Sequence, residues 1–212
     1  MNARLVIARA VTVAVRYLAI RRQFRDQDST DITSRETQVL DYSTVQVRIL
    51  PLLATAFALH YSGFVMRELY ERTRSSSTLD SDNAQLAELH STSAGLKSLA
   101  TELAANSVET CRRAMGGHGF GGGTGLIQLN NDYLSKPTVE GDNWMITQQV
   151  ARFLIKKVKE RAENPSATVL SHTERNLQVF WNNRHEQASF AVLENDEDIL
   201  KAFNWRASWL VC

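Results

Sequence analysis

Glu140 sits in the stretch Pro137-Thr138-Val139-Glu140-Gly141-Asp142-Asn143, a carboxylate between a β-branched residue and a glycine. Asp142 or Asn143 is placed to cap a following helix, whereas Glu140 stands too early to cap and has unhindered access beside Gly141. A lone carboxylate on such a turn is either solvated or a general base. The second role would suit a flavin or thioester site in which burial raised its pKa. A second feature precedes it. Seven of the ten glycines fall between Gly116 and Gly125, and Gly117-His118-Gly119-Phe120-Gly121-Gly122 satisfies the spacing G-x-G-x-x-G. That spacing signals a dinucleotide fold only where it leaves a strand and opens a helix. Here it leaves a long helical segment, so the dinucleotide reading fails on context. Two readings stay open. Gly116 and Gly117 can close a helix after Met115 in left-handed conformations. Alternatively, a run of side-chain-free backbone beside Arg112 and Arg113 can let a flat or phosphorylated ligand approach closely.

Other chemistries find no support. The five histidines, at 60, 90, 118, 172 and 185, have no metal-ligand spacing, and no metal site is expected. Cys111 and Cys212 are too few for a disulfide framework. Neither a phosphate-binding loop nor a serine-nucleophile elbow occurs. A net charge of +1 over 212 residues lacks the basic excess of a nucleic-acid binder. Residues 5–20 hold thirteen apolar residues of sixteen, but Arg9 and Arg16 interrupt the run, so no membrane span is expected there. Six arginines without an acid in residues 1–25 would suit a transit peptide. A core helix fits better, because Arg9, Thr12 and Arg16 form one polar seam and leave an apolar surface at Val6, Ala10, Val13, Tyr17 and Ile20.

The elements that must position these residues read as helices throughout. A periodic segment runs from about Ser34 to Arg74 through Leu40, Val47, Leu50, Leu53, Phe57 and Val65, with Pro51 expected to start or kink a helix. Thr73–Asn83, including Ser75, Ser76, Ser77, Ser81 and Asp82, has loop composition. A further helix, Ala84 to Met115, carries the stripe Leu86, Leu89, Leu96, Leu99, Leu103 and Val108 and stops at the glycines. Leu126, Leu129 and Tyr133 form a short helix before Pro137. Another helix starts near Asn143, carries Ile146, Val150, Phe153, Leu154 and Val158, and ends at Asn164-Pro165. The tail, with Trp181, Phe190, Leu193, Trp205 and Trp209, holds one or two more helices in which the tryptophans pack. The Glu88–His90 and Arg175–His185 regions read as solvated helix faces. The fold class is all-α, a helical bundle.

On these residues the chain resembles the acyl-CoA oxidases, flavin enzymes of peroxisomal fatty acid β-oxidation within the acyl-CoA dehydrogenase superfamily. The resemblance is carried by Cys111-Arg112-Arg113-Ala114-Met115-Gly116-Gly117-His118-Gly119-Phe120 and by Glu140-Gly141-Asp142-Asn143 with its continuation through Leu154. Tyr17-Leu18-Ala19-Ile20-Arg21-Arg22-Gln23-Phe24 and Leu50-Pro51-Leu52-Leu53-Ala54 match in the same order. It covers roughly residues 3–160.

The resemblance implies specific roles. Glu140 stands at the position of the catalytic base, which removes the α-proton of a fatty acyl-CoA while a β-hydride passes to the flavin. Arg21 and Phe24 stand in an Arg-x-x-Phe segment that touches the FAD of a neighbouring subunit, so a homodimer is expected. Gly116 and Gly117 stand where a Gly-Gly segment meets the adenosine and pyrophosphate portion of FAD. Arg113 takes the place of a frequent Gln among the dehydrogenases. Glu140-Gly141-Asp142-Asn143 favours an oxidase, with O2 as electron acceptor and H2O2 as product, over a dehydrogenase. An inactive helical scaffold is the alternative of another class. The expected organisation is a four-helix-like bundle over 1–164, holding the FAD-contacting glycines and the Glu140 loop, and the start of a second helical region over 165–212. The family's N-terminal helical domain and middle β-domain have no counterpart, so a truncated C-terminal portion is expected. A peroxisomal location is implied by resemblance, although no Ser-Lys-Leu-like tripeptide ends the chain.

Overall fold

The computed structural model describes residues 2–25, 33–75, 79–165, 171–186, 188–192 and 194–212, with backbone alone at 79–83. Among the described residues seven α-helices follow in order: α1 (Asn2–Ile20), α2 (Ser43–Ser75), α3 (Leu79–Ala114), α4 (Leu126–Tyr133), α5 (Asn143–Glu163), α6 (His172–Asn183) and α7 (Asp196–Val211). Short 3-10 turns lie at Val39–Asp41, Gly116–Gly119 and Gly122–Thr124. No strand occurs among the described residues, and one isolated antiparallel bridge joins Arg22 and Gln38. The all-α expectation holds. Thr73–Ser75 and Leu79–Asn83, read as loop from their composition, are helical: α2 runs to Ser75 and α3 begins at Leu79. Ser76, Ser77, the Ser81 and Asp82 side chains, and Leu193 lie outside the described residues.

The chain divides into two units by its internal contacts. The first comprises Met1–Arg67 and Leu96–Asn143. Its core is α1, whose Val6, Ile7, Ala10, Val11, Ala14 and Leu18 are buried, against Val45 and Ile49 of α2 and Ala104, Val108 and Cys111 of α3. Ile7, Leu18 and Ile49 are fully buried, each stabilising the unit by roughly 1.5–3 kcal/mol. The polar seam of α1 is exposed as expected. Ile20 is not part of the apolar face: it is 81% exposed.

Pro51 does not start α2, which begins at Ser43 and continues through it. Lacking an N–H, Pro51 leaves the Val47 carbonyl without its helical donor. The residues read as the periodic run of α2 also lie on its outer side: Val47, Leu50, Leu53, Phe57 and Val65 are exposed, while Val45, Ile49, Ala56 and Gly63 are buried. In α3, likewise, Leu86 and Leu99 are exposed, and the buried positions are mostly small, such as Ala94 and Ala104. Residues 5–20 fail as a membrane span, but α2 passes by length and composition. Its most apolar 18-residue window has mean hydropathy 1.6, of which 17% is buried.

The second unit comprises Glu68–Gly95 and Trp144–Cys212. α6 starts with a Ser-x-x-Glu signature, in which Ser171 Oγ accepts from the Glu174 N–H at 3.2 Å. Glu88 is not on a solvated face. It is buried, and its Oε1 accepts from the backbone N–H of Thr173 at 3.1 Å and from the Thr173 hydroxyl at 2.8 Å, satisfying a donor in the first turn of α6. Phe180 and Trp205 pack edge to face at 4.9 Å between ring centres. Trp209, expected to pack, is 64% exposed.

The candidate base turn and glycine segment

Tyr133, buried at the end of α4, anchors the chain before it turns through Leu134 to Glu140. Lys136 N donates to Tyr133 O, Thr138 N and Val139 N donate to Ser135 O, and Asn143 N closes the turn onto Pro137 O at 3.0 Å. Within it Glu140 takes φ 59° and Gly141 φ 99°. Gly141 adopts this backbone freely, but for Glu140 it is a conformation costing about 1–3 kcal/mol, kept only where the surroundings enforce it. The Glu140 side chain is exposed, and its carboxylate has no hydrogen-bond or ion-pair partner among the described residues. α5 begins at Asn143, leaving Asp142 in the cap position.

After α1, Arg21 to Phe24 pairs with the stretch Thr37 to Val39. Gln23 N donates to Thr37 O, Thr37 N to Phe24 O, and Val39 N to Arg21 O at 2.9 Å. The Tyr42 hydroxyl donates to Gln23 O at 2.7 Å, and Gln38 Nε2 to Ala19 O at 2.8 Å. Phe24 has φ 62° and is 68% exposed. Phe24 and Glu140 are thus the two non-glycine residues with positive φ among the described residues.

After α3, Gly116 takes φ 58°, whereas Gly117 does not share the left-handed conformation. Gly116, Gly117, Gly122 and Gly123 face open space, with nothing within 4 Å of a Cβ built there. Gly119 is different, because its Cβ position is filled by the backbone of Arg112. His118 Nδ1 lies 2.8 Å from the Tyr17 hydroxyl, the two rings being 5.1 Å apart. Tyr17, Ile20, Arg21, Arg22 and His118 line an open hollow of about 340 Å³. Arg22 is partly committed, donating to Glu36 O at 2.7 Å, while the Arg21 guanidinium is left without a partner among the described residues.

Arg112 and Arg113 behave unlike each other. Arg112 is mostly buried, grips both oxygens of Glu109 at 2.6 and 2.7 Å, and stacks over Phe120 at 4.1 Å. Arg113 is exposed and shares Glu109 through Nε at 2.7 Å. Hydrogen bonding from Arg112, reinforced by Arg113, holds the Glu109 carboxyl down at about 2. Burial pushes the Cys111 thiol up to about 12.

Of the residues singled out from the sequence, Arg21 and the glycine segment are brought together through Tyr17 and His118. Glu140 stands on its own turn, tied to α3. Sequence reasoning missed His118, Tyr17 and Lys97 as parts of these arrangements. Tyr17 lies seven residues beyond Ala10 on the buried side of α1, a spacing that reads as packing. The other two signals are contacts between residues far apart in the chain. Among the described residues no group of three or more His, Cys, Asp or Glu could hold a metal ion.

Residues 1–155 match the acyl-CoA oxidase C-alpha1 domain. The chain belongs to the acyl-CoA oxidase C-alpha1 family, and its helical fold is that of the C-terminal helical region of these proteins. It is similar to peroxisomal acyl-coenzyme A oxidase 1 of Arabidopsis thaliana, 44% identical over 154 residues, covering 73% of this chain and 22% of the relative. The rat protein of the same name is 40% identical over 155 residues, covering 73% and 23%. The chain therefore spans about a quarter of the length of the curated relatives it matches. The solved structure of Arabidopsis thaliana acyl-CoA oxidase 1 superposes with a TM-score of 0.82 at 37% identity, over 99% of this chain and 31% of that one. Caenorhabditis elegans acyl-CoA oxidase-2, solved with FAD, ascaroside-CoA and ATP, gives 0.83 at 28% identity, over 100% and 30%.

Proposed function

We propose that this chain supplies the base and part of the FAD surface of an acyl-CoA oxidase acting on fatty acyl-CoA, with O2 as electron acceptor. The observation that carries the reading is the conformation of Glu140, a strained residue presenting a free carboxylate from an anchored turn, in a chain of this family. Glu140 takes the α-proton of the bound thioester, and the product is the trans-2-enoyl-CoA. The chemistry that FAD supplies when bound is acceptance of the β-hydride and delivery of the electron pair to dioxygen, which leaves as hydrogen peroxide.

The residues present fit an extended phosphorylated group. Gly116 and Gly117 offer bare, open backbone, and the Arg21 guanidinium is uncommitted beside the hollow lined by His118. Arg21, Phe24, Gly116 and Gly117 are proposed to hold FAD, and Arg113 to contribute positive charge partly offset by Glu109. Residues 1–164 form the FAD-contacting portion of this proposal, and 165–212 begin a further helical region. A homodimer is supported by the outward apolar side of α2, from Val47 to Phe64, which suits a second copy. Because α2 also buries Val45, Ile49 and Ala56, we read it as a packed helix and not a span. A peroxisomal location follows the names of the relatives.

The test is Glu140→Gln in a full-length oxidase carrying this segment. It keeps the shape and removes the base, and should lower peroxide release from acyl-CoA on the order of 10²–10⁴-fold. Normal turnover with flavin bound would overturn the assignment; turnover without oxygen consumption would favour a dehydrogenase.

A further inference from the structure

Lys97 lies on α3, forty residues before the candidate base turn, half-buried and with its ammonium inside that turn. Its Nζ donates to the carbonyl of Pro137 at 3.0 Å, the carbonyl of Gly141 at 2.6 Å and Asn143 Oδ1 at 2.9 Å. An ammonium has three N–H donors and no acceptor, so these three bonds use its full capacity. The acceptors bracket Glu140: Pro137 precedes it by three residues, Gly141 follows it directly, and Asn143 opens α5. Asn143 is itself held, donating from Nδ2 to Ser98 O at 3.3 Å and to Thr101 Oγ1 at 3.1 Å. Thr101 in turn donates to the Lys97 carbonyl at 2.9 Å. One turn of α3, Lys97 to Thr101, therefore grips both flanks of the strained residue.

We propose that Lys97 is a positioning residue for Glu140, its ammonium pinning the two carbonyls and the amide that flank the turn so that the carboxylate is presented from the left-handed conformation. The proposal rests on Glu140 being the base. The physical reasoning is local. A non-glycine residue at φ 59° relaxes to an ordinary conformation unless its neighbours are restrained. The restraint must come from both sides, because a single tether leaves the turn free to pivot. A compact ammonium can reach three convergent acceptors, whereas a planar guanidinium presents its donors as a fork and cannot serve all three. Glu140 itself is left unpaired by the clamp, as a base must be.

Two readouts test this. In the 212-residue chain, Lys97→Met keeps the apolar stem and deletes the three donors. Hydrogen exchange at the amides of residues 138–142 should rise roughly tenfold or more, with α3 amides unchanged. In the full-length oxidase, the same variant should lower kcat by about 10–100-fold with the KM for acyl-CoA held within about twofold, the pattern of a misplaced but present base. Unchanged exchange in the turn, or a loss of protection spread equally through α3, would overturn the proposal. If Lys97→Met does not fold, Lys97→Arg decides: raised exchange in the turn and a lowered kcat support a three-point ammonium clamp, and wild-type values for both overturn it. Full activity of Glu140→Gln would refute the base assignment separately, because the exchange experiment reads the clamp without any turnover.

Discussion

Gly119 lies so close to Arg112 that a Cβ on it would fall 1.8 Å from the Arg112 carbonyl oxygen and 2.8 Å from its carbonyl carbon. The contact is backbone on backbone, so no side-chain rotation can relieve it. Gly117, two residues earlier in the same turn, meets nothing within 4 Å. Gly119→Ala should therefore lower the melting temperature of the chain by several degrees, on the order of 1–3 kcal/mol. Gly117→Val should keep helical content and stability and weaken retention of added FAD. Circular dichroism melts and flavin fluorescence separate the two; equal thermal loss in both variants would leave the glycine segment a purely structural cap.

The Glu109 clamp predicts an acid-sensitive contribution to stability. Its carboxyl is depressed from 4.5 to about 2 by the Arg112 hydrogen bonds, so the stabilisation is fully present above about pH 4.5 and is lost as the pH falls toward 2. Glu109→Gln should lower the Tm by about 2–4 °C near neutrality, and the gap from wild type should close in acid. A gap independent of pH between 2 and 7 would show that charge on Glu109 does not matter.

Thiol chemistry should distinguish the two cysteines. Cys111 is buried on α3 with its thiol pushed up to about 12, whereas Cys212 is exposed. A disulfide reagent at pH 8 should modify one thiol of the folded chain and two after denaturation. Cys212→Ser should abolish the reaction of the folded chain. Rapid labelling of Cys111 in the folded chain would mean that α3 opens near its C-terminal end.

The outer side of α2 predicts self-association. Phe57 and Phe64 are each 56% exposed, two turns apart and on one face with Leu50 and Tyr61. Phe57→Glu with Phe64→Glu should shift the chain from dimer to monomer in analytical ultracentrifugation at unchanged helicity. A wild-type chain already monomeric at tens of micromolar would rule out this surface as its dimer contact.

The sequence by itself was enough for the helices and most of their breaks, and it singled out Glu140 as the candidate base. Asn164-Pro165 ends a helix because proline cannot continue the ladder and restricts its neighbour, and α5 does end at Glu163. The glycine run stopped α3 at Ala114 for a similarly local reason. Which face each helix buries was a different matter. Apolar residues lie on most sides of α2, so its pattern selects no face, and packing against α1 decided that Ile49 goes in and Phe57 stays out. The same holds for Glu88, which looks solvated in sequence and is buried because Thr173, 85 residues away, brings it two donors. Lys97 is one more cation on a helix until the chain returns after Pro137 and lays two carbonyls and an amide around its ammonium. Local chemistry can be read from neighbours in the chain; the partners of a buried donor or acceptor are set by where distant segments meet, because burial makes each polar atom find whatever is there.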